Sequence, residues 1–150
     1  MTGVSAMLRV EAFSLFLLDC VKNTPGVSRA QALAEAGDVK HPFGVAVHIG
    51  AVEVRWQVTG QLAPGEKHDS PAADVHGDPA PWQDAAVRDG GEEWLAAVIG
   101  RAGSPGIARI DRWSVRQGAS PGHVGLTVHM HNGARLFVRR LGLSDGGRRA

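Results

Sequence analysis

The clearest pattern in the chain is an alternation of apolar and polar residues over residues 43–58, FGVAVHIGAVEVRWQV. A two-residue type II′ turn at Gly50-Ala51 sets a register that collects the apolar residues on one face. The pairs on that face are Ile49 with Val52, Val47 with Val54, Val45 with Trp56, and Phe43 with Val58. On the other face His48 lies opposite Glu53 as a polar cross-strand pair. The pattern predicts a β-hairpin with one dry and one wet face. A slip of one residue would exchange the two faces, so the register is well specified.

Helical spacing of apolar residues predicts two helices before this hairpin. The first spans residues 10–23, and its apolar stripe contains Phe13, Phe16, Leu17, Cys20 and Val21. The second is short and begins at Ser28, which forms a capping box with Gln31. Gly37 stands where a left-handed C-terminal cap belongs.

A long segment rich in Pro, Gly, Asp and Ala follows the hairpin over residues 61–91 and has no apolar period. Asp89 and Glu92 form a second capping box, which predicts a third helix up to about residue 102. Residues 107–116 are then predicted as a strand, with a β-bulge between Ile110 and Trp113 to repair its alternation.

Asn132-Gly133 between two β-rich runs predicts a second hairpin over residues 124–141. A two-residue turn at this dipeptide pairs His131 with Ala134, His129 with Leu136, and Thr127 with Val138. Apolar residues then occur on both faces of the ribbon. This distribution favours an exposed face of the hairpin as an interface with a protein partner or a second copy of the chain.

Taken together, the elements predict one α+β domain over residues 1–150. We expect two N-terminal helices, a β-hairpin, a long Pro/Gly-rich loop, a helix and a three-stranded antiparallel meander. The five strands would form one or two sheets with the helices on the dry face. Residues 61–91 are expected as a long acidic loop, and residues 142–150 as a flexible basic tail.

His129 and His131 point to the same side of the predicted hairpin, as an HxH metal pair requires. The predicted hairpin offers no Asp, Glu or Cys to complete the shell, so a metal-dependent enzyme at His129 and His131 stays an alternative. The sequence contains no GxSxG elbow, P-loop or HExxH motif. We therefore assign no catalytic residues, expect no cofactor, and favour a non-enzymatic binding or assembly module.

Charge is unevenly distributed although the net charge is only +1. Residues 61–93 carry eight acidic and two basic side chains, and residues 94–150 carry nine Arg and two Asp. Either the two regions neutralise each other in the fold, or a basic face is offered to an anionic partner. The second alternative predicts nucleic-acid contacts, and its candidate residues are Arg109, Arg112, Arg116, Arg135, Arg139 and Arg140.

The N-terminal stretch VKNTPGVSRAQALAEAG resembles the first helix, turn and second helix of winged helix-turn-helix repressors. That motif also needs a recognition helix, whereas DVKHPFGVAV breaks at Pro42 and continues as a strand. The longest apolar run is too short to span a bilayer. We expect a cytoplasmic protein without membrane insertion, and the single cysteine, Cys20, excludes an internal disulfide.

Three stretches over about residues 60–140 resemble small uncharacterised proteins of actinobacteria and of their plasmids and integrative elements. They are LAPGEKHDSP, EEWLAAVIGRAG running into PGIARIDRW, and PGHVGLTVHMHNGARLFV. These motifs are structural rather than catalytic. The resemblance implies an accessory role in plasmid transfer or spread, which includes conjugation.

Overall fold

The computed structural model describes residues 5–63, 75–87, 90–116, 118 and 123–142, with side chains from Arg9 onward. Within these residues the chain forms two helices and six strands. They are α1 (Ser5–Lys22), β1 (Arg29–Ala32), β2 (Gly44–Ile49), β3 (Val52–Gln61), α2 (Glu92–Arg101), β4 (Ile107–Arg112), β5 (Gly125–Met130) and β6 (Arg135–Arg140). All six strands lie in one antiparallel sheet in the order β1-β2-β3-β6-β5-β4.

Both helices pack on the same face of the sheet and close a single hydrophobic core. Phe13, Leu17 and Val21 recur every four residues along α1 and are buried. In α2 the buried apolar residues are Trp94, Leu95, Ala97, Val98 and Ile99. They meet alternate residues of the central strands, including Val47, Val58, Leu126, Val128, Leu136 and Val138. The described residues include no helix that is long and apolar enough to cross a membrane.

The predicted fold class is wrong in two respects. The chain has one N-terminal helix instead of two, and the last three strands are half of a six-stranded sheet instead of a separate meander. The halves join because β3 and β6 pair antiparallel at the centre, with Val58 opposite Val138. This long-range pairing lets one face of the whole sheet bury its apolar residues against both helices, which neither hairpin could do alone.

The predicted second helix is strand β1 followed by a tight turn. Arg29–Ala32 pairs with the edge of β2, and the chain then makes a single helical turn in which Asp38 N–H donates to the Leu33 carbonyl. Gly37 has a φ of +92° in this turn, so the left-handed cap is confirmed although the helix before it is wrong. Sheet pairing overrides the helical propensity of the segment, and the helix-turn-helix likeness loses its second helix.

The first hairpin has the predicted register. Ile49 pairs with Val52, Val47 with Val54, and Val45 with Trp56. Gly50 has a φ of +61°, which is the left-handed conformation that the first position of a type II′ turn requires. The separation into a dry and a wet face is confirmed, since Val45, Val47, Val54 and Trp56 are buried and Glu53 is exposed.

The second hairpin is shifted by one residue from the predicted register. His129 pairs with Arg135, and Met130 N–H donates to the Ala134 carbonyl, so His131, Asn132 and Gly133 form a three-residue loop. The shift places the aliphatic residues of β5 and β6 on the helix side: Leu126, Val128, Met130, Leu136 and Val138. The predicted placement of Leu136 and Val138 on the same face as His129 was therefore an error of register, and Phe137 is the apolar residue of β6 that faces away from the helices.

Two smaller predictions also need correction. Helix α2 begins after Gly91 without a side-chain cap, so the capping box with Glu92 is wrong, and Asp89 lies outside the described residues. The irregularity in β4 lies between Ile107 and Arg109 and not before Trp113. Of the predicted loop over residues 61–91, the described part after β3 contains no helix or strand before α2, and most of the predicted tail lies outside the described residues.

Candidate binding surface on the sheet

The sheet face opposite the two helices carries mostly polar and charged side chains, and we call it the open face. The strand registers place on it Arg29, Gln31, His48, Glu53, Arg55, Gln57, Thr59, Gln61, Arg109, Asp111, Thr127, His129, Arg135, Phe137 and Arg139. Neither helix lies on this face. The turn after β1 reaches one end of it, where Arg55 donates a hydrogen bond to the Ala36 carbonyl at 3.3 Å.

Phe137 lies near the centre of the open face and is half-buried. It pairs with Thr59 of β3 on one side and with Thr127 of β5 on the other. Arg135 and Arg139 precede and follow it on the same face of β6, and both are exposed. An aromatic ring flanked by two guanidinium groups is typical of the centre of a protein interface.

The open face receives only part of the predicted arginine set. Arg109, Arg135 and Arg139 project from it. Arg116 lies at its border, donates to Thr127 Oγ1 at 3.2 Å, and places its guanidinium carbon 5.8 Å from the Trp113 ring centre. Arg112 and Arg140 have the opposite parity and lie on the helix side. The structure adds Arg29 and Arg55 from the N-terminal half.

Arg29 could not be recognised from sequence once its segment was interpreted as a helix. Arg55 was already placed on the wet face of the first hairpin, but only the pairing of β3 with β6 brings it into the same surface as Arg135 and Arg139. The signal that sequence reasoning missed is the alternation of Arg29 and Gln31 with two alanines, which is short but has the period of a strand.

Carboxylates are interspersed among the arginines. Glu53 contacts Arg55 and His48, each at 3.2 Å, so the predicted polar pair between His48 and Glu53 is confirmed. Asp111 contacts Arg109 at 3.1 Å and His129 at 2.8 Å. The open face therefore alternates in sign along its length while remaining basic in sum.

The Asp111 carboxylate is the negative centre of the group at the outer strand. Partial burial would raise the pKa of Asp111, but hydrogen bonds from Arg109 and His129 outweigh burial and hold that pKa below its usual range. The group thus stays ionised near neutral pH, and it fixes the position of both basic partners.

Trp113 covers the end of the open face next to Arg116. Its indole N–H donates to Thr127 Oγ1 at 2.8 Å, and its ring lies on Gly125, where a Cβ atom would stand 2.7 Å from the ring. The imidazole of His123 stacks on the same indole with ring centres 4.5 Å apart. A side chain at position 125 would displace this cover, which gives that glycine a packing role.

The two histidines of the second hairpin are engaged by different neighbours. His129 Nε2 contacts the Asp111 carboxylate, whereas His131 Nε2 contacts the Asp78 carbonyl oxygen at 2.9 Å and its ring lies against Gly77. Over the described part of the chain, no three His, Cys, Asp or Glu side chains are grouped to hold a metal ion. His129 therefore belongs to the charge cluster around Asp111. His131 attaches the segment around Asp78 to the second hairpin.

Two acidic residues from the described part of the segment before β4 neutralise arginines on the helix side. Glu92 contacts Arg112 at 2.8 Å, and Asp84 contacts Arg101 at 2.5 Å. Neutralisation of arginines by the acidic region is thus confirmed at these two contacts, and an anionic partner for the basic open face stays a prediction. A comparison of this chain with known protein families, with curated proteins and with solved structures finds no match.

Proposed function

We propose that this protein is a non-enzymatic binding module whose open face contacts an acidic surface of a protein partner. The observation that carries the proposal is the exposed pair Arg135 and Arg139 around Phe137 on a sheet face that neither helix covers. Aromatic residues and arginine contribute most to affinity at protein interfaces, whereas lysine is depleted there. The chain follows that preference with 13 Arg and 3 Lys.

A protein partner fits the open face better than a nucleic acid does. Nucleic acids favour an unbroken positive surface and several exposed aromatic rings for stacking. Here Glu53 and Asp111 interrupt the positive surface, and Trp113 is buried under its own neighbours. Alternating charges instead suit a partner with a matching pattern, because they fix the orientation of binding.

The resemblance to proteins of plasmids and integrative elements supports a cellular setting for this role. We infer that the partner is encoded among the genes of a mobile element, so that the protein serves as an accessory factor in plasmid transfer or spread. Proteins that take part in plasmid transfer or spread are therefore the first candidates to examine among the captured proteins.

The experiment is affinity capture from a nuclease-treated extract of the source organism, followed by binding measurements with the purified captured protein. Wild type is compared with Arg135→Glu, Arg139→Glu and Phe137→Ala, and Lys22→Glu is the matched control because Lys22 is exposed at the end of α1. We expect each open-face variant to weaken binding at least about tenfold and the control to leave it unchanged.

Two results would contradict this function. Equal capture by the wild type and the open-face variants would exclude the open face as the contact surface. Capture that occurs from an untreated extract and is lost after nuclease treatment, together with a mobility shift of purified DNA that weakens steeply with salt, would identify a nucleic-acid partner instead.

A further inference from the structure

The two outer strands of the sheet differ in how well their free edges are protected. In β1 the outward groups at Ala32 are satisfied locally, because Ala32 N–H donates to Glu35 Oε1 at 3.1 Å and its carbonyl accepts from Ala36 N–H at 3.1 Å. Strand β4 has six residues, and no described residue pairs with its outer side. An unprotected edge of this length is a template for a further strand.

The hydrogen bond from Trp113 N–H to the Gly125 carbonyl fixes which groups of β4 face outward. In an antiparallel pair the backbone groups alternate between the neighbour and the free side. Asp111 and Arg109 therefore direct their backbone groups toward β5, and Ile110 and Arg112 present theirs at the free edge.

We propose that the free edge of β4 pairs with β4 of a second copy of this chain, in an antiparallel dimer centred on Ile110. The outward groups of Ile110 in the two copies then form a hydrogen-bonded pair across the two-fold axis. The same register places Arg109 of each copy directly opposite Asp111 of the other. Such an interface is isologous and closed, so it produces a dimer without further growth.

Charge complementarity favours a second copy over an unrelated strand. Arg109 is 62% exposed and Asp111 is 37% exposed, and both project from the open face beside the edge. Opposite charges on directly facing residues stabilise an antiparallel pair, and like charges destabilise it by similar amounts. A partner strand must place an acidic residue opposite Arg109 and a basic residue opposite Asp111. A second copy of β4 in antiparallel orientation does both.

The helix side of the edge has room for the partner strand's side chains. A groove of about 450 Å³ lies between α2, β4 and residues 81–83. Its apolar lining includes Trp82, Ala96, Ala97 and Ile110, and its polar lining is Gln83, Glu93 and Arg112. In the proposed register Ile110 of the second copy lies beside the apolar part of this lining. The dimer would therefore bury the partly exposed Ile110 on the helix side. On the open face it would form the two ion pairs between Arg109 and Asp111 of opposite copies.

The first test measures mass in solution over a concentration series by sedimentation equilibrium. We expect the wild type to reach twice the 15.8 kDa mass of the chain. The single reversals Arg109→Asp and Asp111→Arg should each weaken self-association at least about tenfold, since each places like charges opposite one another. Glu11→Arg, on an exposed position of α1, is the matched control and should dimerise like the wild type.

An equimolar mixture of the two single variants separates an intermolecular contact from a change within one chain. Arg109→Asp carries two acidic side chains at the edge and Asp111→Arg carries two basic ones, so the mixture should form a heterodimer that neither forms alone. A wild type that is monomeric at every concentration, or a mixture that stays monomeric, would overturn the proposal. Circular dichroism verifies that each variant is folded.

Hydrogen exchange of the wild type supplies a second test that needs no variant. The amides of Ile110 and Arg112 should exchange more slowly as the protein concentration rises, whereas the amide of Ala30 on the opposite edge should not change. Exchange at Ile110 that is independent of concentration would overturn the β4 pairing. This inference does not depend on the partner proposed for the open face.

Discussion

At the scale of single residues, Glu92 has a role that its sequence position conceals. Its buried carboxylate accepts hydrogen bonds from Arg112 Nε at 2.8 Å, Ser114 N–H at 3.0 Å and Gly125 N–H at 3.0 Å. It thereby connects the start of α2 with the end of β4 and the start of β5. From the sequence it was interpreted as a helix-capping residue, because a local motif gives no indication of partners that lie 20 or more residues away.

We expect Glu92→Gln to lower the free energy of unfolding by about 1–3 kcal/mol, because it removes the charge from several charge-assisted hydrogen bonds. The measurement is urea unfolding at neutral pH. Glu93→Gln is the matched control in the same helical turn, and Glu93 is exposed, so its loss should stay within about 0.5 kcal/mol. Equal losses in the two variants would contradict the role assigned to Glu92.

The difference in unfolding free energy between the wild type and Glu92→Gln should depend on pH, and the pKa of Glu92 gives the sign of that dependence. Burial would raise the pKa of Glu92, but the hydrogen bonds from Ser114, Gly125 and Arg112 outweigh burial and hold that pKa below its usual range. A lowered folded-state pKa contributes stability that is complete above the unfolded pKa of about 4.3 and is lost as pH falls further. The difference between wild type and Glu92→Gln should therefore be largest at neutral pH and shrink below about pH 4.

At the scale of elements, the two hairpins show why one register could be predicted and the other could not. In the first hairpin the alternation alone rejects a shift, since Val45, Val47 and Trp56 would all move to the solvent face. In the second, Asn132-Gly133 suits a two-residue turn and also a three-residue loop with its last residue in the left-handed region. Only the pairing of β6 with β3 on its other side decides between them.

The loop geometry predicts a specific cost at Gly133, whose φ is +96°. We expect Gly133→Ala to lower the free energy of unfolding by about 1–2 kcal/mol, because a Cβ atom is strained in this conformation. Gly106→Ala is the control, since a Cβ atom there would meet Met130 at an ordinary 3.5 Å. Urea unfolding of both variants measures the difference, and a neutral Gly133→Ala would contradict the left-handed conformation of Gly133.

Strand β1 marks the limit of prediction from local pattern. Four residues with alanines at alternate positions satisfy a helical template as well as a strand template. Their state is set by the free edge of β2, where Ala30 pairs with Val47 and Ala32 with Val45. The positions of α1, α2 and most strands could be predicted because each has a longer apolar period, and the open face could not because it requires the order of strands.

At the scale of the whole molecule, the fold repeats one unit. Each half consists of a helix followed by three strands that run from the outer edge of the sheet to its centre, α1-β1-β2-β3 and α2-β4-β5-β6. The inner strands β3 and β6 pair antiparallel, and one core cluster contains residues of both helices and both halves. The halves therefore share their buried apolar surface.

A shared core predicts that the halves unfold together. The slowest-exchanging amides of β2 and β5 should have the same free energy of opening within about 1 kcal/mol, as measured by native-state hydrogen exchange. Leu136→Ala removes a buried side chain next to the central pairing and should lower both values equally, by about 2–5 kcal/mol. A decrease confined to β5 would show that the halves are independent folding units.

The central pairing of β3 with β6 would also couple the proposed binding at the open face to the stability of the fold. Arg29 and Arg55 come from one half of the chain, and Arg135 and Arg139 come from the other. A ligand that contacts arginines of both halves binds only the folded molecule. Its binding would therefore raise the free energy of unfolding. Proteolytic resistance and thermal tolerance would then report whether the surface is occupied, even before the occupant has been identified.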